Sequence, residues 1–399
     1  MVSKVTSLVT GLLGLPAAAD SSTYGQNAVC ANDQLMRLYD QSTGLWPFPG
    51  SDLGIYWWQS ANMLTAFNDL AQLNGDLKQH YSYVWDDTYN NAPAHNPSPE
   101  AVMGADGQLH KVYRKNTTKK VHVMTEVGDF KNDFYDDEAW WGLAWLGAVD
   151  NTGDDRFRQE AIAIWYDMKA AWNRHQCGGV PWNKSEGSSP VAISNELYIA
   201  LGASLANHVG DDQKPTYLAG AQEAWEWFRN SGMINGDGLI NDGLDPSTCQ
   251  NDGKPTYSYN QGVILGGLVE LYWATGDASY LDSAGAIADA VTRPGSSMLD
   301  GSGILADDCD RSQSCGGDGV QFKGVFNRNL RKLQEARPTD QWKAFLETNA
   351  KSIWDKDLSV VDGECRVGVY WGGPYAEADA SSQSSGLDAL TAAFAVTGQ

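Results

Sequence analysis

The sequence predicts an all-α protein, an (α/α)6 barrel of six inner and six outer helices. The first observation is a recurring turn. Tripeptides that contain Gly or Asp end the apolar stretches, about every 60 residues. They lie at residues 74–76, 152–154, 209–211, 275–277 and 338–340. The second observation is that the helices on the two sides of these turns differ in polarity. Amphipathic helices outside and apolar helices inside explain this alternation.

Each turn has a physical basis. Gly just after a helix can adopt the left-handed conformation, and the Asp that follows can cap the next helix by accepting from its free N–H groups. After Asp277, the apolar residues Leu281, Ala284 and Val291 recur on one helical face, as expected of an outer helix. The stretch 263–273 before that turn is apolar nearly throughout, as expected of a buried inner helix.

Counting these segments completes the barrel. Five outer helices follow the five turns, and a helical segment near residues 22–41 replaces the sixth, which is missing after Thr397. We expect residues 20–399 to form one domain, because no helical hairpin of this kind buries its apolar face alone. The six inner helices are predicted near residues 55–73, 134–149, 192–208, 258–274, 320–337 and 382–396.

The first residues have the pattern of a secretory signal. Lys4 precedes an apolar stretch over residues 5–15, and Ala17–Ala19 supply small residues for cleavage after Ala19. The stretch is shorter than the roughly 20 residues that span a bilayer. We therefore expect residues 1–19 to be removed and the protein to be secreted and extracellular.

Three further features agree with secretion. Six cysteines, an even number, suit an oxidising compartment, and Cys309 and Cys315 are close enough in sequence to pair, although spacing alone does not fix the connectivity. Asn116 and Asn183 begin glycosylation sequons. The chain ends without a hydrophobic tail, so we expect no lipid or membrane anchor.

Charge limits the partners. The formal net charge is −22, which would repel nucleic acid and anionic membrane surfaces. Sixteen Trp and seventeen Tyr are a heavy aromatic load, and rings outside the core suit a sugar-binding cleft. We expect a monomer that binds a neutral carbohydrate.

The two ends of the predicted barrel differ. Connections from outer to inner helices are long, the longest covering about residues 90–133, and loops longer than about 12 to 15 residues are usually functional. The site is therefore expected at the mouth where the inner helices begin. That position selects Trp57, Trp58, Gln59, Asp136, Asp137, Asn195, Glu196, Asn260, Gln261, Lys323, Ser384 and Ser385.

Asp136 and Asp137 are the strongest catalytic candidates. They begin an inner helix, beside Trp140 and Trp141. Glycoside hydrolysis uses one ionised and one protonated carboxyl group. A helix N-terminus favours the ionised group, and the negative charge of that group keeps the neighbouring carboxyl group protonated. Glu196 and Asp133 are rival carboxylates, more suited to hydrogen bonding with substrate or to a structural role, although Glu196 could supply the acid. Helix capping is the structural alternative for the pair itself.

Other candidates bind rather than react. Trp57, Trp58, Trp182, Trp371 and Tyr375 could stack on sugar faces, although core packing is the alternative for each ring. The six histidines lack metal-ligand spacing, and the sequence contains no nucleotide-binding motif, so we expect no metal and no cofactor. The basic cluster over residues 111–120 is interpreted as a solvated loop.

At these residues the chain resembles glycoside hydrolase family 76, the endo-α-1,6-mannanases. The resemblance begins near Gly54 and is most specific in NDFYDDEAWWGLAW, residues 132–145; GGVPWN, SNELY, LINDGLD, YSYNQGVILGGL and FKGVFNR follow in order. It implies an (α/α)6 barrel that cleaves α-1,6-mannosidic bonds of mannan with retention. It also implies that Asp136 is the nucleophile and Asp137 the general acid/base. Asn260, Gln261, Lys323 and Arg328 lie in matching motifs and are implied to line subsites.

The chain departs from the family at Glu138, where Asn, Gln or Gly is common. We hypothesise that this third carboxyl group raises the pKa values of its neighbours and shifts the pH optimum. Fungal cell-wall members also carry a C-terminal anchor signal that this sequence lacks. A cell-wall or anchor-glycan transglycosylase and a non-catalytic mannan-binding protein are the alternatives to a secreted endo-mannanase.

Overall fold

A computed structural model describes residues 21–49, 51, 54–104, 109–114 and 129–397. The predicted signal segment and the Asn116 sequon lie outside these residues. In the described part, helices α1 to α15 and strands β1 to β4 follow in chain order, with a short 3-10 helix at Ala92–His95. The helices are α1 (Ser21–Arg37), α2 (Trp58–Leu73), α3 (Gly75–His80), α4 (Tyr83–Asn91), α5 (Tyr135–Thr152), α6 (Asp155–Ala171), α7 (Ala192–His208), α8 (Lys214–Asn230), α9 (Ser258–Thr275), α10 (Ser279–Thr292), α11 (Asp308–Ser312), α12 (Gly316–Gly319), α13 (Phe322–Ala336), α14 (Asp340–Lys356) and α15 (Ala380–Thr397).

The inner helices form a closed ring, and the predicted (α/α)6 barrel is confirmed. Neighbours pack in the order α2, α5, α7, α9, α13, α15 and back to α2. The outer layer contains α6, α8, α10 and α14, and the first outer helix is divided into α3 and α4. Helix α1 packs on α15 and fills the remaining outer position, as the sequence predicts.

Two of the predicted turns have the expected geometry. Gly153 and Gly276 end α5 and α9 in the left-handed conformation, with φ of 71° and 75°. Asp154 then caps α6 by accepting from the backbone N–H of Arg156. Two other turns differ in the residue that caps, because Asn74 and Thr339 supply the accepting oxygen one or two positions before the expected Asp.

Three disulfides and two short hairpins complete the fold. Cys30 bonds Cys365, Cys177 bonds Cys249, and Cys309 bonds Cys315, the pair that sequence spacing allowed. Strand β1 (Ser98–Met103) pairs with β2 (Leu109–Arg114), and β3 (Leu358–Val361) with β4 (Glu364–Val367), both antiparallel. The sequence analysis did not predict these hairpins. Within the described residues, the helices are too short or too polar to cross a membrane.

Candidate active site

The candidate site lies at the N-terminus of inner helix α5. Phe134 precedes this helix in an extended conformation, and Asp136 and Asp137 occupy its first turn. The first N–H groups of a helix lack intrahelical partners and carry partial positive charge, which stabilises carboxylates there. Asp137 is fully buried and Asp136 is 8% exposed.

The hairpin of β1 and β2 lies against this pair. The Lys111 ammonium donates to Oδ2 of Asp136 at 2.8 Å and to Oδ1 of Asp137 at 2.5 Å. The Tyr113 hydroxyl lies 3.0 and 2.9 Å from the two oxygens of Asp137. Because side chains alternate along a strand, Lys111 and Tyr113 share one face, and Val112 between them is exposed.

Two further donors orient the carboxyl groups. Asn132 donates from its side-chain amide to Oδ2 of Asp137 at 2.8 Å, while its own oxygen accepts from the backbone N–H of Phe134. The Trp182 indole N–H donates to Oδ2 of Asp136 at 3.2 Å. Oδ1 of Asp136 is buried and has no hydrogen-bond partner among the described residues. One oxygen of Asp136 is therefore held, and the other is left for a ligand.

The environment separates the chemistry of these groups. Burial raises the pKa of Asp137 to about 6, and the charge of Asp136 adds to this rise, whereas Lys111 and Asn132 act in the opposite direction. Burial alone would lower the pKa of Lys111, but the charges of Asp136 and Asp137 outweigh it and raise that pKa. Burial raises the pKa of Tyr113 well above its usual value, so its hydroxyl is a neutral donor.

A second group of polar side chains lies near the pair. Glu196 is fully buried, and both its carboxyl oxygens lack a hydrogen-bond partner within the described part of the chain. Burial and then the charge of Asp242 raise the pKa of Glu196. Burial likewise raises the pKa of Asp242 to about 6, and Asp252 and Asp136 contribute to that rise. Asn260 lies beside Asp242 and lowers its pKa, although its side chain makes no well-formed hydrogen bond to any described residue.

The family model for glycosyl hydrolase family 76 matches residues 23–398. The chain belongs to this family. Among its relatives, the mannan endo-1,6-alpha-mannosidase DCW1 of Candida albicans is 29% identical over 217 residues, which cover 49% of this chain and 46% of the relative. The mannan endo-1,6-alpha-mannosidase DFG5 of Saccharomyces cerevisiae is 23% identical over 381 residues, or 89% of this chain and 75% of the relative. The match to the Candida protein thus spans about half of that protein's length.

Solved structures share the barrel. The GH76A alpha-1,6-mannanase from Salegentibacter sp. HEL1_6 superposes with a TM-score of 0.74 at 23% identity, covering 93% of this chain and 98% of that one. An inactive variant of the same enzyme, with two aspartates replaced by asparagine, binds alpha-1,6-mannotriose and has a TM-score of 0.74 at 22% identity over 93% and 99% of the chains. Dfg5 from Chaetomium thermophilum, solved with glucosamine, has a TM-score of 0.73 at 19% identity over 95% and 92%.

In this family 76 protein, three predicted aromatic residues lie in the barrel interior. Trp58 stacks on Trp140 with ring centroids 6.0 Å apart, and the Arg328 guanidinium lies 5.7 Å from the Trp140 ring. Trp58 also donates from its indole N–H to Asp318 at 3.2 Å. Trp57 is 1% exposed and packs against Phe130 and Trp141, so its surroundings are those of a core residue.

Four predicted binding residues make internal contacts. The side chain of Asn195 bonds both backbone polar groups of Val180, and that of Gln261 bonds both of Ile240, so each anchors a loop to its helix. Lys323 is fully buried, pairs with Asp310 and lies over the ring of Trp371 at 5.4 Å. Binding roles for the side chains of Asn195, Gln261, Lys323 and Trp371 stay predictions.

Three other predicted residues lie at loop positions. The Asp133 side chain is exposed, and Tyr375 is half-buried with its backbone N–H donating to Lys356. Asn183 is 4% exposed, and its side-chain oxygen accepts from the backbone of Ser185. Glycosylation at Asn183 stays a prediction.

Glu138 faces away from the catalytic candidates. Its carboxyl group contacts Lys184 at 3.2 Å, and Lys184 contacts Asp167 at 2.6 Å. Burial raises the pKa of Glu138 well above its usual value, with Lys184 opposing this rise and Asp167 adding to it. The main influences on the pKa of Asp137 come from burial, Lys111, Asp136 and Asn132. The contacts therefore do not support the hypothesis that Glu138 tunes Asp137.

Sequence reasoning missed several groups at the site. The interpretation of residues 111–120 as a solvated loop is wrong at Lys111, whose side chain is only 6% exposed because it neutralises two carboxylates. Residues 115–120 lie outside the described residues. A signal for Lys111 and Tyr113 was available, because alternation over LHKVYR puts both on one strand face. Asn132 and Asp242 lay in quoted motifs without being assigned a role.

Proposed function

We propose that this protein is a secreted endo-α-1,6-mannanase that hydrolyses mannan backbones with retention, Asp136 acting as nucleophile and Asp137 as general acid/base. The observation that carries the proposal is the shared ammonium group of Lys111. Because it bonds one oxygen of each carboxyl group, at 2.8 and 2.5 Å, those oxygens are at most about 5.3 Å apart. Retaining enzymes place their carboxyl groups about 5 to 5.5 Å apart, whereas inverting enzymes need about 6.5 to 9.5 Å.

The contacts of each group support these roles. Asp136 has a free oxygen, Oδ1, to attack the anomeric carbon, while Trp182 orients its other oxygen. Attack forms a covalent bond from Asp136 to the sugar and breaks the glycosidic bond, and the Asp137 proton goes to the departing oxygen. Burial favours the protonated Asp137 that this step needs. Water then cleaves the sugar from Asp136 and returns a proton to Asp137.

Substrate class is supported by the relatives and by the polar groups around the pair. The named fungal relatives are mannan endo-1,6-alpha-mannosidases, and the inactive Salegentibacter mannanase binds alpha-1,6-mannotriose. Glu196 and Asn260 have buried polar atoms without partners among the described residues, which are costly and which sugar hydroxyls would satisfy. Asp242 lies beside Asn260 and offers a carboxyl group at the same place. We assign these three side chains to hydrogen bonding with mannose units.

The test is product formation from unbranched α-1,6-mannan. Purified wild-type protein is compared with Asp136→Asn, Asp137→Asn and Asp211→Asn, and new reducing ends are followed by NMR. Asp211 is an exposed member of another Asp-Asp pair and serves as the matched control. We expect α-configured oligosaccharides from wild type and Asp211→Asn, and a loss of at least about 100-fold in both site variants.

Other outcomes would redirect the assignment. First products in the β configuration would refute retention. Products that appear only when sugar acceptors are added would favour the transglycosylase alternative. Binding without turnover by wild type would identify a mannan-binding protein, and the intact carboxyl pair argues against that result.

A further inference from the structure

The hairpin of β1 and β2 places a cation where a substrate must react. Lys111 contacts Oδ2 of Asp136 and Oδ1 of Asp137, and Tyr113 contacts both oxygens of Asp137. A retaining step needs the anomeric carbon within about 3 to 3.5 Å of the nucleophile and the glycosidic oxygen within about 2.6 to 3.2 Å of the acid. Lys111, Tyr113 and Asn132 together occupy both oxygens of Asp137, so a glycosidic oxygen cannot approach this acid while Lys111 and Tyr113 are in place.

We propose that Lys111 and Tyr113 occupy the position of the scissile bond in the free protein, and that the β1-β2 hairpin is a plug displaced by the mannan chain. This inference rests on the proposed function of Asp136 and Asp137. The opposite face of the hairpin supports it, since Val112 and its cross-strand partner Glu100 are both exposed. The hairpin thus has one face toward solvent, and its other face reaches the carboxyl pair through Lys111 and Tyr113, with Tyr113 also packed against the core.

Displacement of the plug also prepares the acid. Lys111 lowers the pKa of Asp137, so its departure raises that pKa and Asp137 takes up a proton from solvent. The proton then lies on the group that must donate it to the glycosidic oxygen. Opening and proton uptake are coupled because one cation controls both.

The plug has a distinct kinetic signature. Apparent affinity equals the intrinsic affinity reduced by the fraction of molecules that are open, whatever ligand is used. Removing the plug therefore lowers KM by the same factor for short and long oligosaccharides and leaves kcat nearly unchanged. A side chain that bound one sugar unit, or that stabilised the transition state, would not produce this pattern.

The experiment compares wild type with Lys111→Met, Tyr113→Phe and the control Val112→Ala, which changes the exposed face of the same strand. KM and kcat are measured with α-1,6-mannotriose and α-1,6-mannohexaose. We expect Lys111→Met to lower KM at least about threefold, by an equal factor for both substrates, Tyr113→Phe to act in the same direction, and Val112→Ala to match wild type. A fall in kcat, or unequal factors for the two substrates, would overturn the plug.

A second measurement does not depend on the substrate. Hydrogen exchange of the peptide that covers residues 98–114 is followed by mass spectrometry in the same variants without ligand. Faster exchange in Lys111→Met than in wild type and Val112→Ala is the expected result, and unchanged exchange overturns the proposal. If no variant hydrolyses mannan, the proposed function fails, while the exchange result still decides whether Lys111 holds the hairpin.

Discussion

The pH dependence of catalysis provides the sharpest test of the role of Asp137. Its pKa is raised to about 6, chiefly by burial, and the acid must be protonated when substrate binds. The protonated fraction is then about one half at pH 6, about one tenth at pH 7 and about one hundredth at pH 8. We expect kcat/KM on α-1,6-mannan oligosaccharides to fall along this curve, about fivefold from pH 6 to pH 7 and about tenfold from pH 7 to pH 8.

Two variants sharpen the test. Glu138→Gln should leave the fall of kcat/KM above pH 6 unchanged, because Glu138 faces Lys184 and Asp167. Lys111→Met should shift the fall of kcat/KM to higher pH, because Lys111 lowers the pKa of Asp137. Initial rates at low substrate concentration between pH 4 and 9, corrected for stability, give the profile. A kcat/KM that stays constant from pH 6 to pH 8 in wild type would refute the assignment of Asp137 as the acid. A pH profile that shifts in Glu138→Gln would restore the hypothesis that Glu138 changes the pKa values of its neighbours.

The other predictions concern single contacts. Trp182→Phe removes the indole N–H that orients Asp136, and steady-state assays should show a loss of about 10- to 100-fold in kcat, as for a hydrogen bond to a charged group; a loss under threefold contradicts the orienting role. Replacing Cys30 and Cys365 by Ala should lower the free energy of unfolding in urea by about 2 to 5 kcal/mol, because the bond closes a loop of 335 residues; an unchanged midpoint would count against it. Gly262→Ala should lower the free energy of unfolding by about 1 to 3 kcal/mol or more in thermal melts, because the new Cβ would lie 2.5 Å from the Phe326 Cα atom. In the control Gly75→Ala, the new Cβ meets no atom within 4 Å, and this variant should not be destabilised. Equal melting temperatures for these two glycine variants would disprove the close helix contact.

The barrel was predictable because its signals are local. Alternating amphipathic and apolar helices follow from side-chain spacing, and Gly153 and Gly276 end helices by a conformation that glycine adopts without strain. The position of Asp136 and Asp137 at an inner-helix start was also readable, because it depends only on where α5 begins. The caps at Asn74 and Thr339 differed from expectation because several side chains near a turn can accept the same N–H.

By itself, the sequence determined the helix order and the position of Asp136 and Asp137 at the start of an inner helix. Only the tertiary structure decided which partners meet them, because contacts between residues distant along the chain leave no periodic signal. Lys111 lies 25 positions from Asp136, and although strand alternation puts it on one face with Tyr113, nothing in the sequence shows that this face meets Asp136. The same reason explains why Asn195 and Gln261, chosen by position, hold backbone loops, while Glu196 has no described hydrogen-bond partner. Chemistry at this site is set by burial and by a hairpin from another part of the chain, and both appear only when the barrel is closed.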